Sequence, residues 1–138
     1  MIVFENFVKQ NKVVKRTKDP ALQNSLAKDA DERIKSLLIP GLSPKFKFEQ
    51  AYESIREAAD SFLARDGFKT YSHEAAISYL HKIGLITGTE LDRLDICRKK
   101  RNDSKYYGKD IDKEEAESLC VFLKVIFMRL YPEKKENK

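Results

Sequence analysis

Twelve consecutive residues, 98–109 with the sequence RKKRNDSKYYGK, carry a mixture of side chains that suits the binding of phosphate. Arginine and lysine supply positive charge, asparagine and serine supply neutral hydrogen bonds, and tyrosine rings can stack on nucleobases. This mixture fits a nucleotide or RNA better than a membrane surface. The candidate ligand-binding residues are Arg98, Arg101, Asn102, Ser104, Lys105, Tyr106 and Tyr107.

The segment differs in charge from the rest of the chain. Of the 27 basic and 22 acidic residues in the sequence, six basic and one acidic lie in residues 98–109, which leaves 21 of each sign in the other 126 residues. A positive excess confined to one segment indicates a phosphate site rather than diffuse attraction to polyanions. A second basic cluster carries less weight because it lacks interleaved aromatic or hydrogen-bonding side chains. It consists of Lys9, Lys12, Lys15, Arg16 and Lys18.

Helical spacing singles out Arg101 within the segment. The apolar residues Leu91, Leu94 and Cys97 recur at three-residue intervals, and a further step of four reaches Arg101. Burial of an unpaired guanidinium costs several kcal/mol, so we expect Arg101 to face a groove or a partner carboxylate. Its fork of donors suits a phosphate. In the alternative, its stem packs while its charged end reaches solvent.

The whole segment has an alternative interpretation as a solvated helix end. Lysines near a helix C-terminus interact favourably with the helix dipole, and Tyr106 or Tyr107 would then pack under the last helix. A further alternative is an interaction module in which the basic helix contacts an acidic protein. Composition alone does not decide between these interpretations.

Helices must position this segment, because apolar residues recur at helical spacing along nearly the whole chain and no stretch of β-branched alternation lasts long enough to compete. The predicted fold is an all-α, up-down bundle of about five to six helices. A first amphipathic segment spans about residues 2 to 15. Capping residues predict helix starts at Asp19, Ser43, Ser72 and Asp112. A further helix is predicted to start at Thr89, after a turn at Thr87-Gly88-Thr89. Helix ends are predicted at Pro40-Gly41, Gly67, Gly84 and Gly108.

The chain length predicts one domain over residues 1–138, with a basic segment at 1–18 and a flexible tail at 132–138. No apolar run is long enough to span a bilayer, and no leader pattern is present at the start, so we expect a cytoplasmic protein. Cys97 and Cys120 lack zinc-site spacing, which predicts reduced core thiols. We expect neither a metal nor a cofactor.

Two stretches of the sequence resemble the HEPN domains of small bacterial and archaeal proteins. One is residues 50–80, QAYESIREAADSFLARDGFKTYSHEAAISYL, and the other is the end of the basic helix, RNDSKYYG at 101–108. The resemblance extends to helix order over roughly residues 20 to 131. It implies an up-down bundle, usually a homodimer, that is often encoded beside a minimal nucleotidyltransferase as toxin and antitoxin.

The resemblance also implies roles for single residues. The HEPN motif is an arginine, often followed by asparagine, and a histidine about five positions later. Arg101 and Asn102 match it, whereas Tyr106 stands in place of histidine. Arg101 and Tyr106 would be the catalytic residues of an active, metal-independent endoribonuclease. Tyrosine has a pKa near 10 and is a poor base at neutral pH, so the sequence predicts binding of RNA or a nucleotide without strong nuclease activity.

Two histidines elsewhere in the chain could in principle take the place of the missing motif histidine. His73 follows the predicted cap Ser72, where a surface or capping role is expected. His81 lies near the end of the same helix, where a protonated imidazole would suit the dipole. Neither belongs to the matching motif, so both are expected to be structural.

Overall fold

The computed structural model describes residues 2–108 and 110–131, with the Tyr106 side chain left out. Lys109 and the predicted tail at 132–138 lie outside the described residues. The all-α class is confirmed, since 74% of the described residues are helical. In chain order the elements are α1 (Phe4–Lys9), β1 (Val13–Lys15), α2 (Pro20–Lys35), a 3₁₀ helix (Ser36–Leu38), α3 (Pro44–Asp66), β2 (Phe68–Thr70), α4 (His73–Lys82), α5 (Gly88–Tyr107) and α6 (Lys113–Leu130).

Four of the predicted helix starts are confirmed by the hydrogen bonds of their caps. In each case the cap side chain satisfies a backbone N–H that the first helical turn would leave unpaired. The donors and distances are Leu22 to Asp19 at 3.0 Å, Phe46 to Ser43 at 3.1 Å, Ala75 to Ser72 at 3.2 Å and Glu115 to Asp112 at 3.1 Å.

The start of α5 differs from the prediction. Thr87 is its N-cap, and the Thr87 hydroxyl accepts a hydrogen bond from the backbone N–H of Glu90 at 3.1 Å. The Glu90 carboxylate accepts one from the backbone N–H of Thr87 at 2.9 Å, which completes a capping box. The predicted turn at 87–89 is therefore wrong, because Gly88 and Thr89 already belong to the helix.

Helix α3 is the centre of the bundle and is surrounded by the other long helices. Contacts of Asp19 with Ala64 and of Arg33 with Gln50 show that α2 runs antiparallel to α3. Helix α6 runs parallel to α3, since Tyr131, which follows it, is hydrogen-bonded to Ser61 at 2.6 Å. Helix α5 runs antiparallel to both, which gives the predicted up-down arrangement. None of the helices in the described part of the chain is long and apolar enough to cross a membrane.

A two-stranded antiparallel sheet was not predicted. The first amphipathic segment leaves the helix at Lys9, and β1 pairs with β2 so that Val13 lies opposite Thr70 and Lys15 opposite Phe68. Strands of three residues are too short to produce a readable alternation in sequence. Their partners are more than 50 residues apart, so the pairing has no local signal.

The two cysteines are confirmed as free thiols in the core. Cys97 on α5 and Cys120 on α6 are both buried. Burial raises the pKa of the Cys97 thiol to about 12, because the thiolate would be poorly solvated there. Cys97 therefore packs as a small apolar side chain.

Candidate functional site

Four of the candidate residues share one face of α5. Arg98, Arg101, Asn102 and Lys105 follow the spacing i, i+3, i+4 and i+7, which places them on a single helical stripe. On this stripe, here called the α5 face, Arg98 contacts α4, Arg101 contacts α3 and Lys105 is exposed. Tyr107 lies on the opposite side of the helix and is 74% exposed.

Arg101 is buried in an ion pair with α3. Only 6% of the residue is exposed, and its Nη2 lies 2.6 Å from Oε1 of Glu53. Its Nη1 lies 3.4 Å from Oδ1 of Asn102, and the guanidinium carbon lies 5.9 Å from the centroid of the Tyr52 ring. The expected partner carboxylate is thus Glu53. The alternative in which the charged end of Arg101 reaches solvent is wrong.

Arg98 and Ser104 are also held by carboxylates. The Nε of Arg98 donates to Oδ1 of Asp95 at 2.9 Å, and its Nη2 lies 3.5 Å from Oε1 of Glu74 on α4. The Ser104 hydroxyl donates to Oε2 of Glu49 at 3.3 Å. The α5 face is therefore joined to both neighbouring helices by polar contacts.

The positive excess of residues 98–109 is largely offset in space by acidic residues from elsewhere. Besides the pairs of the two arginines, Lys99 lies 3.3 Å from Asp95 and Lys100 lies 3.0 Å from Glu115 on α6. Charge counted along the sequence therefore overstates the positive potential of this segment. Lys105 is the exposed cation of the α5 face.

Glu53 connects a larger charged network. Its Oε2 lies 3.0 Å from Nη2 of Arg56, so one carboxylate bridges two guanidiniums. Arg56 also donates to Asp60 at 3.0 Å, and burial raises the pKa of Asp60 to about 6 although Arg56 acts in the opposite direction. Arg56, Arg98 and Arg101 are called the arginine cluster below.

The hydroxyl of Tyr52 is buried beside this network and has no hydrogen-bond partner among the described residues. Burial raises the pKa of Tyr52 above its ordinary value, and the neighbouring Glu53 carboxylate adds to the rise. The phenol therefore stays neutral and can donate a hydrogen bond.

His73, expected to be structural, lies next to the arginine cluster. It is half-buried at the first position of α4, and burial lowers its pKa. The charges of Arg56, Arg101 and Arg98 lower the pKa further, while Glu53 opposes them. Its neutral imidazole is thus the ordinary form at pH 7. Sequence reasoning missed this placement, because only tertiary packing brings α4 against these arginines.

The remaining candidates contribute less to this site. His81 lies at the opposite end of α4 from His73. The side chain of Tyr106, which stands where the HEPN motif has histidine, lies outside the described residues. Among the described side chains, the structure thus brings together Arg98, Arg101, Asn102 and Lys105, with Ser104 alongside, and separates Tyr107 from them.

Comparisons with known proteins add no identification. No protein-family model matches the chain. No curated protein matches it at a significant level either. The HEPN resemblance therefore stays a prediction.

Proposed function

We propose that this protein binds RNA or a nucleotide through phosphate at the α5 face. The observation that carries the proposal is the convergence of Arg98, Arg101, Asn102 and Lys105 on one helical stripe beside the half-buried His73. The pKa of His73 is lowered, and groups with perturbed pKa values are enriched at functional sites. Ion-pair networks with a purely structural role are the competing explanation.

The ion pairs fix the orientation of the two arginines on the α5 face. Glu53 engages Nη2 of Arg101, which leaves Nε and part of Nη1 for another acceptor. A side chain that is already ordered loses little entropy when it binds a ligand. A phosphate at Arg101 would also compete with Glu53 for the guanidinium.

This competition predicts that substitutions of Arg101 and of Glu53 change RNA affinity in opposite directions. Arg101→Lys keeps the charge opposite Glu53 but loses the planar fork, so we expect affinity for a labelled single-stranded RNA to fall about tenfold. Glu53→Gln removes the competing carboxylate, so we expect affinity to rise. The measurement is fluorescence anisotropy, after circular dichroism has established that each variant is folded.

Glu57→Gln is the matched control, since Glu57 lies one turn further along α3 and pairs with Arg33 at 2.5 Å. It should leave RNA affinity unchanged. Lys105→Ala changes an exposed residue of the α5 face and should weaken binding without unfolding the protein. The proposal is wrong if Glu53→Gln and Glu57→Gln behave alike while Lys105→Ala binds as the wild type does.

His73 favours a second candidate function, metal-independent RNA cleavage. In that reaction a base removes the proton of a ribose 2′-hydroxyl, whose oxygen attacks the adjacent phosphorus, while the 5′-oxygen leaves and takes up a proton. A neutral imidazole with a lowered pKa can accept the first proton. We expect cleavage of structured RNA in the presence of EDTA to be lost in His73→Ala and kept in His81→Ala.

The HEPN resemblance adds a homodimer and a nucleotidyltransferase partner to the proposal. Both features rest on analogy with that family and not on contacts within this chain. Sedimentation equilibrium tests the homodimer, for which twice the chain mass of 16.0 kDa is expected.

A further inference from the structure

A second basic surface lies on the outer side of the two strands. Side chains alternate along a strand, so Lys12, Val14 and Arg16 point to one side of the sheet. The register places Lys69 opposite Val14, and Tyr71, two residues after Lys69, lies on the same side. These five residues are called the basic ribbon. Together with Asn11, Thr70 and Ser72 they line a surface groove.

Unlike Arg98 and Arg101, the cations of the basic ribbon form no ion pairs with the described residues. All of them are exposed, and none lies within ion-pair distance of a carboxylate in the described part of the chain. Tyr71 is 84% exposed, and Nζ of Lys69 lies 5.2 Å from the centroid of its ring. The basic cluster in residues 1–18 has no aromatic residue between its cations in the sequence. In the fold, Tyr71 supplies that aromatic ring and Lys69 supplies a further cation.

The backbone of the basic ribbon is held firmly. The Thr70 hydroxyl donates to the carbonyl of Lys12 at 2.6 Å, and the N–H of Arg16 donates to the carbonyl of Gly67 at 2.8 Å. Gly67 has φ +84°, and a Cβ there would lie 2.7 Å from the carbonyl oxygen of Arg16. Glycine is therefore needed for β1 to pass this close to the end of α3. The cationic side chains project from an ordered scaffold.

We propose that the basic ribbon binds single-stranded nucleic acid, with phosphates on Lys12, Arg16 and Lys69 and a base stacked on Tyr71. Residues two apart on a strand are about 6.6 Å apart, a spacing comparable with that of successive phosphates in an extended single strand. An aromatic platform beside a positively charged groove is the usual arrangement for single strands. Bases in a duplex are stacked on one another and would not reach the ring.

Other polyanions fit this surface less well. An anionic membrane would use apolar side chains for insertion, and Val14 is the one aliphatic residue of the basic ribbon. An acidic protein would pair with the lysines but would give the exposed Tyr71 ring no stacking partner. The exposed ring of Tyr71 therefore favours a nucleobase.

The basic ribbon leads directly to the arginine cluster. Ser72 alone separates Tyr71 from His73, and the residue after His73, Glu74, lies 3.5 Å from Nη2 of Arg98. A strand held on the ribbon would thus extend towards the α5 face. The ribbon is nevertheless an independent proposal, since its own residues suffice for binding.

Salt dependence of binding tests the phosphate contacts. The triple variant Lys12→Ala, Arg16→Ala, Lys69→Ala removes three proposed contacts, and each contact to a single strand contributes about 0.7 to the slope of log K against log salt concentration. We expect the slope for a labelled oligouridine to fall by about 2. The control triple Lys28→Ala, Lys113→Ala, Lys124→Ala removes three other exposed lysines and should leave the slope unchanged.

Substitutions of Tyr71 test the stacking. Tyr71→Ala should weaken binding of oligouridine about 5- to 150-fold, the range observed for loss of one base stack. Tyr71→Phe keeps the ring and should bind as the wild type does. Equal affinities of the ribbon triple and the control triple would overturn the proposal, and so would equal affinity of Tyr71→Ala and wild type.

Two further outcomes separate this proposal from its competitors. Binding of phosphatidylserine vesicles that is lost in the ribbon triple, without any binding of oligouridine, would identify a membrane surface instead. Loss of oligouridine binding in Lys105→Ala with wild-type affinity in the ribbon triple would overturn the ribbon and support the α5 face. Loss of oligouridine binding in the ribbon triple with wild-type affinity in Lys105→Ala would support the basic ribbon and count against the α5 face.

Discussion

Replacing Arg101 with alanine removes one half of the ion pair that joins α5 to α3. The Glu53 carboxylate, with a side chain only 13% exposed, would then lose its contact at 2.6 Å. A buried charge without a partner is costly, because water cannot solvate it fully. The variant should therefore be less stable than the wild type even though no apolar core side chain has changed.

The size of the effect depends on what remains around Glu53. Breaking a buried ion pair by removing one partner costs about 3 to 5 kcal/mol. Arg56 stays 3.0 Å from the other oxygen of Glu53 and keeps part of the charge compensated. We therefore expect about 3 kcal/mol for Arg101→Ala. Glu53→Ala should cost more, since it leaves two guanidiniums without their shared carboxylate.

Urea unfolding followed by circular dichroism measures this loss directly. A decrease of about 3 kcal/mol corresponds to about 10 °C in Tm for a domain of this size. Arg129→Ala is the control, because it breaks an ion pair with Glu90 in which the arginine side chain is 43% exposed. Exposed pairs contribute about 0 to 1 kcal/mol.

Equal stability of Arg101→Ala and Arg129→Ala would refute this reasoning. It would mean that the Arg101 guanidinium is solvated in solution and that Glu53 is not its partner. The result matters for the binding site as well. If Arg101→Ala is strongly destabilised, its loss of RNA binding proves nothing about phosphate, and Arg101→Lys becomes the informative variant.

Three other predictions concern pH, backbone geometry and reactivity. The pKa of His73 is lowered in the folded protein, so below about pH 6.5 the unfolded chain binds more protons than the folded one. The free energy of unfolding should therefore fall on acidification. His73→Gln should remove part of that fall, as urea titrations at several pH values can measure. Gly67→Ala should lower Tm more than Gly84→Ala, which shares a positive φ but meets no neighbouring atom. Native Cys97 should resist iodoacetamide at pH 8, as mass spectrometry can show.

Features of the fold that depend on neighbouring residues could be predicted from the sequence. The cap of α2 is Asp19 followed by proline, and the end of α3 is Gly67 with φ +84°. Each acts within three or four residues, so local chemistry determines it. Gly88 indicates a turn in the sequence, but the capping box of Thr87 and Glu90 is the stronger signal and starts the helix there.

Features that depend on distant residues could not be predicted in the same way. The helical spacing placed Arg101 on the inner face correctly, but nothing in the sequence identified Glu53 as its partner. The same limitation affected the charge count, since Glu74 and Glu115 reach α5 only through packing. Strand pairing likewise gave the basic residues before α2 an aromatic neighbour, Tyr71, that lies far away in sequence.

The parallel arrangement of α3 and α6 has a consequence for folding during synthesis. The bond between Ser61 and Tyr131 joins residues 70 positions apart, and the ring of Tyr131 stacks on Phe62 at 5.6 Å between centroids. A growing chain that has completed α3 must therefore keep one apolar side of that helix uncovered until residue 131 leaves the ribosome. During that interval the nascent protein presents a surface that chaperones bind and that promotes aggregation.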